Sequence, residues 1–308
     1  MSDPMAGGKT RLCASCRALN GADFDRCIRC GNRLDRAAAP RGERLTEHVG
    51  GESLLATKGL VAFTLAFYGL QLAALSRTLE KPDLIALLFS GGTGRELLRF
   101  GALPLNPVLA LDQPFRVVSA VFVHVGLLHV GMNMLGLTNL GRIAEPAVGS
   151  ARLLVAYVVT GAAGFATSVA WTAAGGMAGS ITAGGSGAVF GVMGLILGWM
   201  LRRRDPRWKQ FAVQAVFYSV IFGFAMNASR SGIQINNAAH LGGLASGTVF
   251  GLIYAGRRGQ SDLWANIAAG VSIAACAASL LLSQRSAPSR VRADPLDGLL
   301  EIKPEPPR

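Results

Sequence analysis

The sequence predicts an all-α polytopic membrane protein preceded by a small metal-binding unit. Hydrophobic residues make up 51% of its 308 residues and charged ones only 16%, a balance that departs from ordinary soluble domains. Seven apolar segments, near residues 59–77, 117–140, 153–174, 186–201, 211–227, 238–255 and 265–283, have about the length a bilayer-crossing helix needs. Four cysteines in two close pairs stand ahead of the first segment. The net charge of +12 raises nucleic-acid binding as an alternative. Because the basic residues are spread along the chain and gather at the ends of apolar runs, the lipid bilayer is the expected partner and no nucleic acid is expected.

Residues 1–36 form the first expected unit. Cys13-Ala-Ser-Cys16 and Cys27-Ile-Arg-Cys30-Gly31 are C-x-x-C pairs with ten residues between them. Four thiolates at this spacing suit tetrahedral Zn²⁺, and the glycine permits the tight turn of such a knuckle. A pair of disulfides or four free thiols is the alternative. A reducing compartment and a segment too short to build a core without a staple weigh against both. The segment resembles a zinc ribbon, so a structural zinc held by Cys13, Cys16, Cys27 and Cys30 is expected, with no catalytic role. Residues 37–56, without periodicity, read as a linker.

No apolar run precedes residue 57, so the first span is expected to act as the insertion signal. A long loop from Glu80 to Arg116 follows it, with an interfacial stretch at Leu84 to Phe89, a glycine-rich turn at Gly91 to Gly94 and turn residues from Pro104 to Pro107. Arg142, Arg152, Arg202, Arg203, Arg204, Arg207, Lys209, Arg257 and Arg258 fall in loops on one side. That distribution places the N-terminus in the cytoplasm and, with seven spans, the C-terminus outside.

Three of the four histidines, His124, His129 and His240, lie in or beside apolar spans, where an ionisable ring is costly and tends to mark function. On a helix His129 and Asn133 fall within about 40° of one another, while His124 points roughly 140° away. The pair supplies two N–H donors on one face, which suits either an oxyanion or an interhelical hydrogen bond. His124 is expected to anchor a loop. Ser186 lies in Gly184-Gly185-Ser186-Gly187 at the head of the fourth span, and His240 in Asn237-Ala238-Ala239-His240 at the head of the sixth. Gly187, Gly191, Gly194 and Gly198 make one stripe and Gly243, Gly247 and Gly251 another, which lets two helix backbones approach. These spans run the same way, so Ser186 and His240 lie at similar depth as a nucleophile and its base. No acidic residue falls in the spans concerned, which makes a dyad the economical reading. Cys276, in the last span, is expected to be a packing residue.

Taken as a set, Gly184-Gly185-Ser186-Gly187-Ala188-Val189-Phe190-Gly191, His124-x4-His129-x3-Asn133 and Ala239-His240-Leu241-Gly242-Gly243-x3-Gly247 resemble the rhomboid intramembrane serine proteases. The resemblance covers residues 57–256 and implies a six-helix core, with residues 257–283 an added seventh helix (6+1) and 284–308 a polar tail. It implies that Ser186 is the nucleophile and His240 the base, that His129, Asn133 and the Ser186 amide form the oxyanion hole, and that Phe190 packs beside His240. Phe115-Arg116 looks like the family's Trp-Arg pair of the first loop, with Phe in place of Trp. The implied activity is cleavage of transmembrane protein substrates without a catalytic cofactor, in a multi-pass protein of the bacterial inner membrane. The competing expectation is a non-catalytic relative that binds transmembrane clients and recruits a cytoplasmic partner through its ribbon.

Overall fold

The structure is a computed structural model that describes residues 11–13, 19–21, 24–34, 54–77, 84–176, 181–217, 235–255 and 263–286. It divides into two compact units, Met1–Gly51 and Glu52–Arg308. In the first, strands β1 (Arg11–Leu12) and β2 (Leu19–Asn20) pair antiparallel, and Cys13, Cys27 and Leu34 form a small buried cluster. The Asn20 side chain accepts from the Ile28 amide at 2.9 Å, which ties the hairpin to the second knuckle.

The second unit is helical. Its long helices are α1 (Leu55–Ser76), α6 (Leu127–Val148), α7 (Ser150–Ala173), α8 (Ser186–Arg202), α10 (Asn237–Tyr254) and α11 (Leu263–Ser286), and residues 208–217 are helical as well (α9). Among the described residues α1, α7 and α11 are long and apolar enough to cross a membrane, and α8 is a shorter apolar helix. The side chains are sorted for lipid. On α1 the polar Thr57, Thr64 and Gln71 are buried while Phe63, Leu65 and Leu70 are exposed, the arrangement expected where hydrocarbon is the solvent and polar groups must find partners inside.

Several segment limits differ from the sequence reading. α1 begins at Leu55, inside the stretch read as linker, and α11 continues to Ser286, inside the stretch read as tail. The second apolar run is not one helix from residue 117: a four-residue helix α5 (Arg116–Ser119) and turns precede α6, which starts only at Leu127. Gly126, the residue before α6, has φ +84°, outside the helical range, and lies so near the Phe89 carbonyl oxygen that a Cβ there would overlap it. At its other end α6 runs on to Val148. The fifth expected span lies partly outside the described residues.

The first loop is folded. It holds α2 (Leu84–Ser90), α3 (Gly94–Phe100) and α4 (Pro107–Asp112). A Thr93–Glu96 capping box starts α3, and Asn106 with Pro107 starts α4. Strand β3 (Leu103–Pro104) of this loop pairs antiparallel with β4 (Ile181–Thr182), joining Leu103 to Thr182 and Pro104 to Ile181. The loop is thereby fastened to the segment that leads into Ser186.

The closest packing is between α8 and α10. A Cβ at Gly243 would overlap the Gly187 carbonyl oxygen, one at Gly247 that of Gly191, and one at Gly251 that of Leu195. From the other side, a Cβ at Gly194 would meet the Leu244 carbonyl and one at Gly198 that of Thr248. The α8 stripe is not uniform, however. Gly191 turns its missing side chain toward Thr160 of α7, and at Gly187 a Cβ would stand 3.4 Å from the Ala239 carbonyl oxygen, an ordinary contact. α7 joins the same core through Gly164, where a Cβ would lie 2.5 Å from that carbonyl.

The longer α6 also brings in a buried carboxylate. Glu145 accepts from the amides of Ala56 and Thr57 at 2.8 and 2.9 Å, from the Thr57 hydroxyl at 2.6 Å and from the Ser150 hydroxyl at 2.7 Å. It thus caps α1 from a different helix, satisfying amides that intrahelical bonding leaves over. Lying 16 residues along α6 from His129, roughly 24 Å away at the helical rise, it is structural and supplies no third catalytic member.

Glu145→Ala should lower stability by about 3 kcal/mol, since buried donors lose their acceptor. Gly247→Val should do the same by overpacking, whereas Gly187→Ala should stay within about 1 kcal/mol of wild type. Thermal unfolding midpoints in detergent check all three.

Candidate active site

Ser186 is the first residue of α8 and His240 sits in the first turn of α10. Their side chains meet: His240 Nε2 lies 2.8 Å from Ser186 Oγ. The Phe190 ring, one helical turn after the serine, stacks on the His240 imidazole with centroids 4.3 Å apart and planes 5° from parallel. A flat stack of this kind holds the ring plane while leaving its edge for the hydroxyl. His240 is buried apart from 8% of its surface.

The turn before Ser186 is held by backbone contacts. Gly184 has φ +127°, a conformation side chains rarely adopt, and its Cα faces the His129 ring: a Cβ there would lie 2.5 and 2.7 Å from Cε1 and Nε2. The Gly184 amide donates to the Ala120 carbonyl at 2.8 Å, and the Gly185 amide to His124 Nε2 at 3.1 Å. His124 Nδ1 lies 3.0 Å from the Phe122 carbonyl. Since Nε2 must accept from Gly185, the proton belongs on Nδ1, and this fully buried ring is a neutral anchor for the turn. Tyr157 lies beneath Gly185, where a Cβ would stand 2.6 Å from its hydroxyl.

His129 and Asn133 both fall in the first two turns of α6 and are buried. Asn133 Nδ2 has no hydrogen-bond partner among the described residues, so this donor is committed to no interhelical bond. The His129 ring lies 5.2 Å from that of His124, centroid to centroid. Farther out, Arg116 is buried and donates to the carbonyls of Leu98 at 2.6 Å and Ala102 at 3.0 Å. Burial lowers its pKa to about 10, which leaves it charged at neutral pH. Phe115 lies against its guanidinium, 5.7 Å from the ring centroid.

One residue of the site was missed by sequence reasoning. Asn236 is the N-cap of α10, accepting from the Ala239 amide at 3.0 Å. Its Nδ2 donates to Ser168 Oγ of α7 at 2.7 Å and to Thr182 Oγ1 of β4 at 3.0 Å. Thr182 stands four residues before Ser186 and Asn236 four before His240, so one amide bridges the segments that deliver both side chains. An Asn ahead of an apolar run is a recognisable cap signal, but its two outside partners carry no mark in the sequence.

In the first unit, the sulfur atoms of Cys13, Cys27 and Cys30 all lie within 4.8 Å of one another. The Arg29 amide points at Cys27 Sγ from 3.4 Å, and Gly31 takes φ +74°. Cys16 lies outside the described residues. Three converging thiols with an amide directed at one sulfur fit a tetrahedral thiolate metal site. Cys276 is buried in α11.

A serine and a histidine joined at the heads of two closely packed apolar helices belong to a polytopic helical membrane fold, and their contact makes a candidate nucleophile and base. Residues 111–257 match the family model of the Rhomboid domain. It is 31% identical over 166 residues to RHOMBOID-like protein 1 of Arabidopsis thaliana, covering 53% of this chain and 40% of that protein. It is 30% identical over 161 residues to Rhomboid protease GluP of Bacillus subtilis (strain 168), covering 51% and 29%. With Rhomboid-like protease 5 of Toxoplasma gondii it shares 32% over 168 residues, covering 53% and 19%. The match thus spans less than half the length of each of these relatives.

Asn236→Ala removes the cap and both outside bonds, while Asn236→Asp keeps the cap and loses the two donors. Thermal midpoints should fall in the order wild type, Asp, Ala, with Ala about 2 kcal/mol below wild type.

Proposed function

We propose that this protein is an intramembrane serine endopeptidase that cleaves in or beside the transmembrane segments of other membrane proteins. The single observation that carries the reading is the 2.8 Å approach of His240 Nε2 to Ser186 Oγ, within the reach a general base needs. His240 takes the hydroxyl proton as Ser186 Oγ attacks the scissile carbonyl carbon. The resulting oxyanion is met by His129, the Asn133 amide and the Ser186 backbone N–H, which lies at the positive end of α8. As the tetrahedral intermediate collapses, His240 returns its proton to the departing amine and an acyl-enzyme on Ser186 remains. Water, deprotonated by the same imidazole, then releases the acid. No carboxylate is required as a third member, since the stacked Phe190 orients the ring.

The bilayer setting limits the substrate to a segment that can present an unwound peptide bond, because a helical one is screened by its own hydrogen bonds. Arg202, Arg203, Arg204, Arg207 and Lys209 crowd the end of α8 away from Ser186. Positive residues of this density support a cytoplasmic N-terminus and a site near the opposite face.

The thiols of Cys13, Cys27 and Cys30, completed by Cys16, are proposed to hold a structural Zn²⁺ in the first unit. It takes no part in peptide hydrolysis.

A serine-reactive fluorophosphonate in detergent should label wild type but neither Ser186→Ala nor His240→Ala, and equal labelling of all three would sink the dyad. Asn133→Ala should reduce kcat roughly 10²-fold with little change in KM; an unchanged kcat returns Asn133 to packing. Purified full-length chain should carry about one equivalent of zinc, and Cys27→Ser should lose it; metal content is read by plasma emission.

A further inference from the structure

The C-terminal helix α11 lies beyond the Rhomboid domain match, and none of its residues takes part in the chemistry above. Its outward side is ordinary lipid-facing helix, with Trp264, Ile267, Val271, Ile273, Leu281 and Leu282 exposed. Its inward side is Ala269, Ser272, Cys276, Ser279 and Ser283, small residues that allow close approach and hydroxyls that require acceptors.

Two of these hydroxyls reach groups outside the helix. Ser279 donates to the Phe115 carbonyl at 2.5 Å, while Ser283 Oγ lies 3.1 Å from Ser119 Oγ and shares its one proton with the Ser279 carbonyl of its own helix, 2.9 Å away. Phe115 and Ser119 belong to α5 or its cap. Ser119 in turn donates to the Gly101 carbonyl at 2.8 Å. Gly101, at φ +112°, approaches so closely that a Cβ would lie 2.7 Å from Ser119 and 3.0 Å from Ser283 Oγ. The end of α3, the whole of α5 and the last turns of α11 are therefore pinned at one point. Ser272, on the same stripe, bonds back to Ala268 of its own helix at 2.9 Å and has no partner outside it among the described residues.

α5 is only four residues long and has no side-chain cap, so contacts from elsewhere hold it: Arg116 and Ser119 fasten it to the first loop, and the α11 serines to the last helix. The segment it leads into anchors the reactive turn: Ala120, the next residue, accepts from the Gly184 amide, and His124 accepts from the Gly185 amide. From Ser283 to Ser186 the path is continuous through Ser119, Ala120, Gly184 and Gly185.

We propose that α11 is a positioning helix for the active site: Ser279 and Ser283 hold α5 so that Ala120 and His124 fix the turn carrying Ser186. Neither serine touches substrate; they act through α5. This inference rests on the proposed serine chemistry for its kinetic consequence, but its structural consequence, protection of the Gly184 and Gly185 amides, does not.

The test compares full-length wild type, the double variant Ser279→Ala/Ser283→Ala and Ser272→Ala in detergent. Three readouts are taken: the rate of fluorophosphonate inactivation, kcat and KM on a transmembrane reporter peptide, and deuterium uptake of peptides containing Gly184 and Gly185. The double variant should lose about tenfold in inactivation rate and kcat at unchanged KM, the mark of a displaced nucleophile, and should take up deuterium faster at the turn. Ser272→Ala should match wild type in all three. A double variant with a lowered thermal midpoint but wild-type inactivation rate, kcat and uptake would make α11 a stabilising helix only and overturn the proposal. If wild type itself does not label, the serine chemistry fails, and deuterium uptake alone decides the role of α11. Should the double variant not accumulate, the single variants are read the same way, each expected to cost about threefold in rate if the two contributions add; wild-type rates and uptake in both singles also overturn it.

Discussion

Backbone carbonyls of α8 occupy the space where side chains of α10 would stand, at Gly243, Gly247 and Gly251, and carbonyls of α10 do the same at Gly194 and Gly198. Contact of this kind has no adjustable part. A side chain can turn aside, but a carbonyl held in its own helix cannot, so the separation and relative rotation of the two helices are set to within small tolerances. Ser186 and His240 sit at the heads of these helices. Their 2.8 Å contact follows from the packing below them. α7 is drawn into the same arrangement, by Gly164 against Ala239 and by Thr160 against Gly191.

Where hydrocarbon surrounds the protein, apolar burial distinguishes poorly between inside and outside, and the polar groups do more of the ordering. Glu145 joins α6 to the start of α1. Asn236 joins the start of α10 to α7 and β4. Gln71, fully buried on α1, donates to the carbonyls of Gly91 and His124 at 2.8 and 3.0 Å and so ties the first loop to the anchor of the reactive turn. Each of these residues satisfies backbone groups at the end of an element or in a loop, the places where regular hydrogen bonding runs out. The first loop, with Arg116 reaching two of its carbonyls and β3 paired to β4, is in this sense part of the active-site scaffold.

Much of the candidate site's geometry was legible in the sequence. Ser186 and His240 were recognisable because a glycine-wrapped serine and a histidine are unusual at the heads of apolar segments, and the helical period placed His129 and Asn133 on one face. The reading was weaker wherever a segment's conformation depends on something distant in sequence. The second apolar run reads as one span because Val, Phe and Leu continue across it; in the fold the helix starts only after Gly126, which lies against the Phe89 carbonyl. Glu145 was left out of the spans because a charge ends an apolar run in sequence, although in the folded protein its charge is met by four donors from α1 and α7.

Local chemistry along the chain was enough for the class of protein, the candidate pair and the cysteine cluster, since apolar length, helical period and knuckle geometry are properties of short stretches. Tertiary structure alone decided how the reactive turn is held. The acceptor for the Gly184 amide is 64 residues away at Ala120, Asn236 reaches Ser168 and Thr182 across 68 and 54 residues, and Ser279 meets Phe115 across 164. A hydroxyl, an amide or a carbonyl will bond to any complementary group brought within reach, so its residue type does not encode the partner; packing of the helices chooses it.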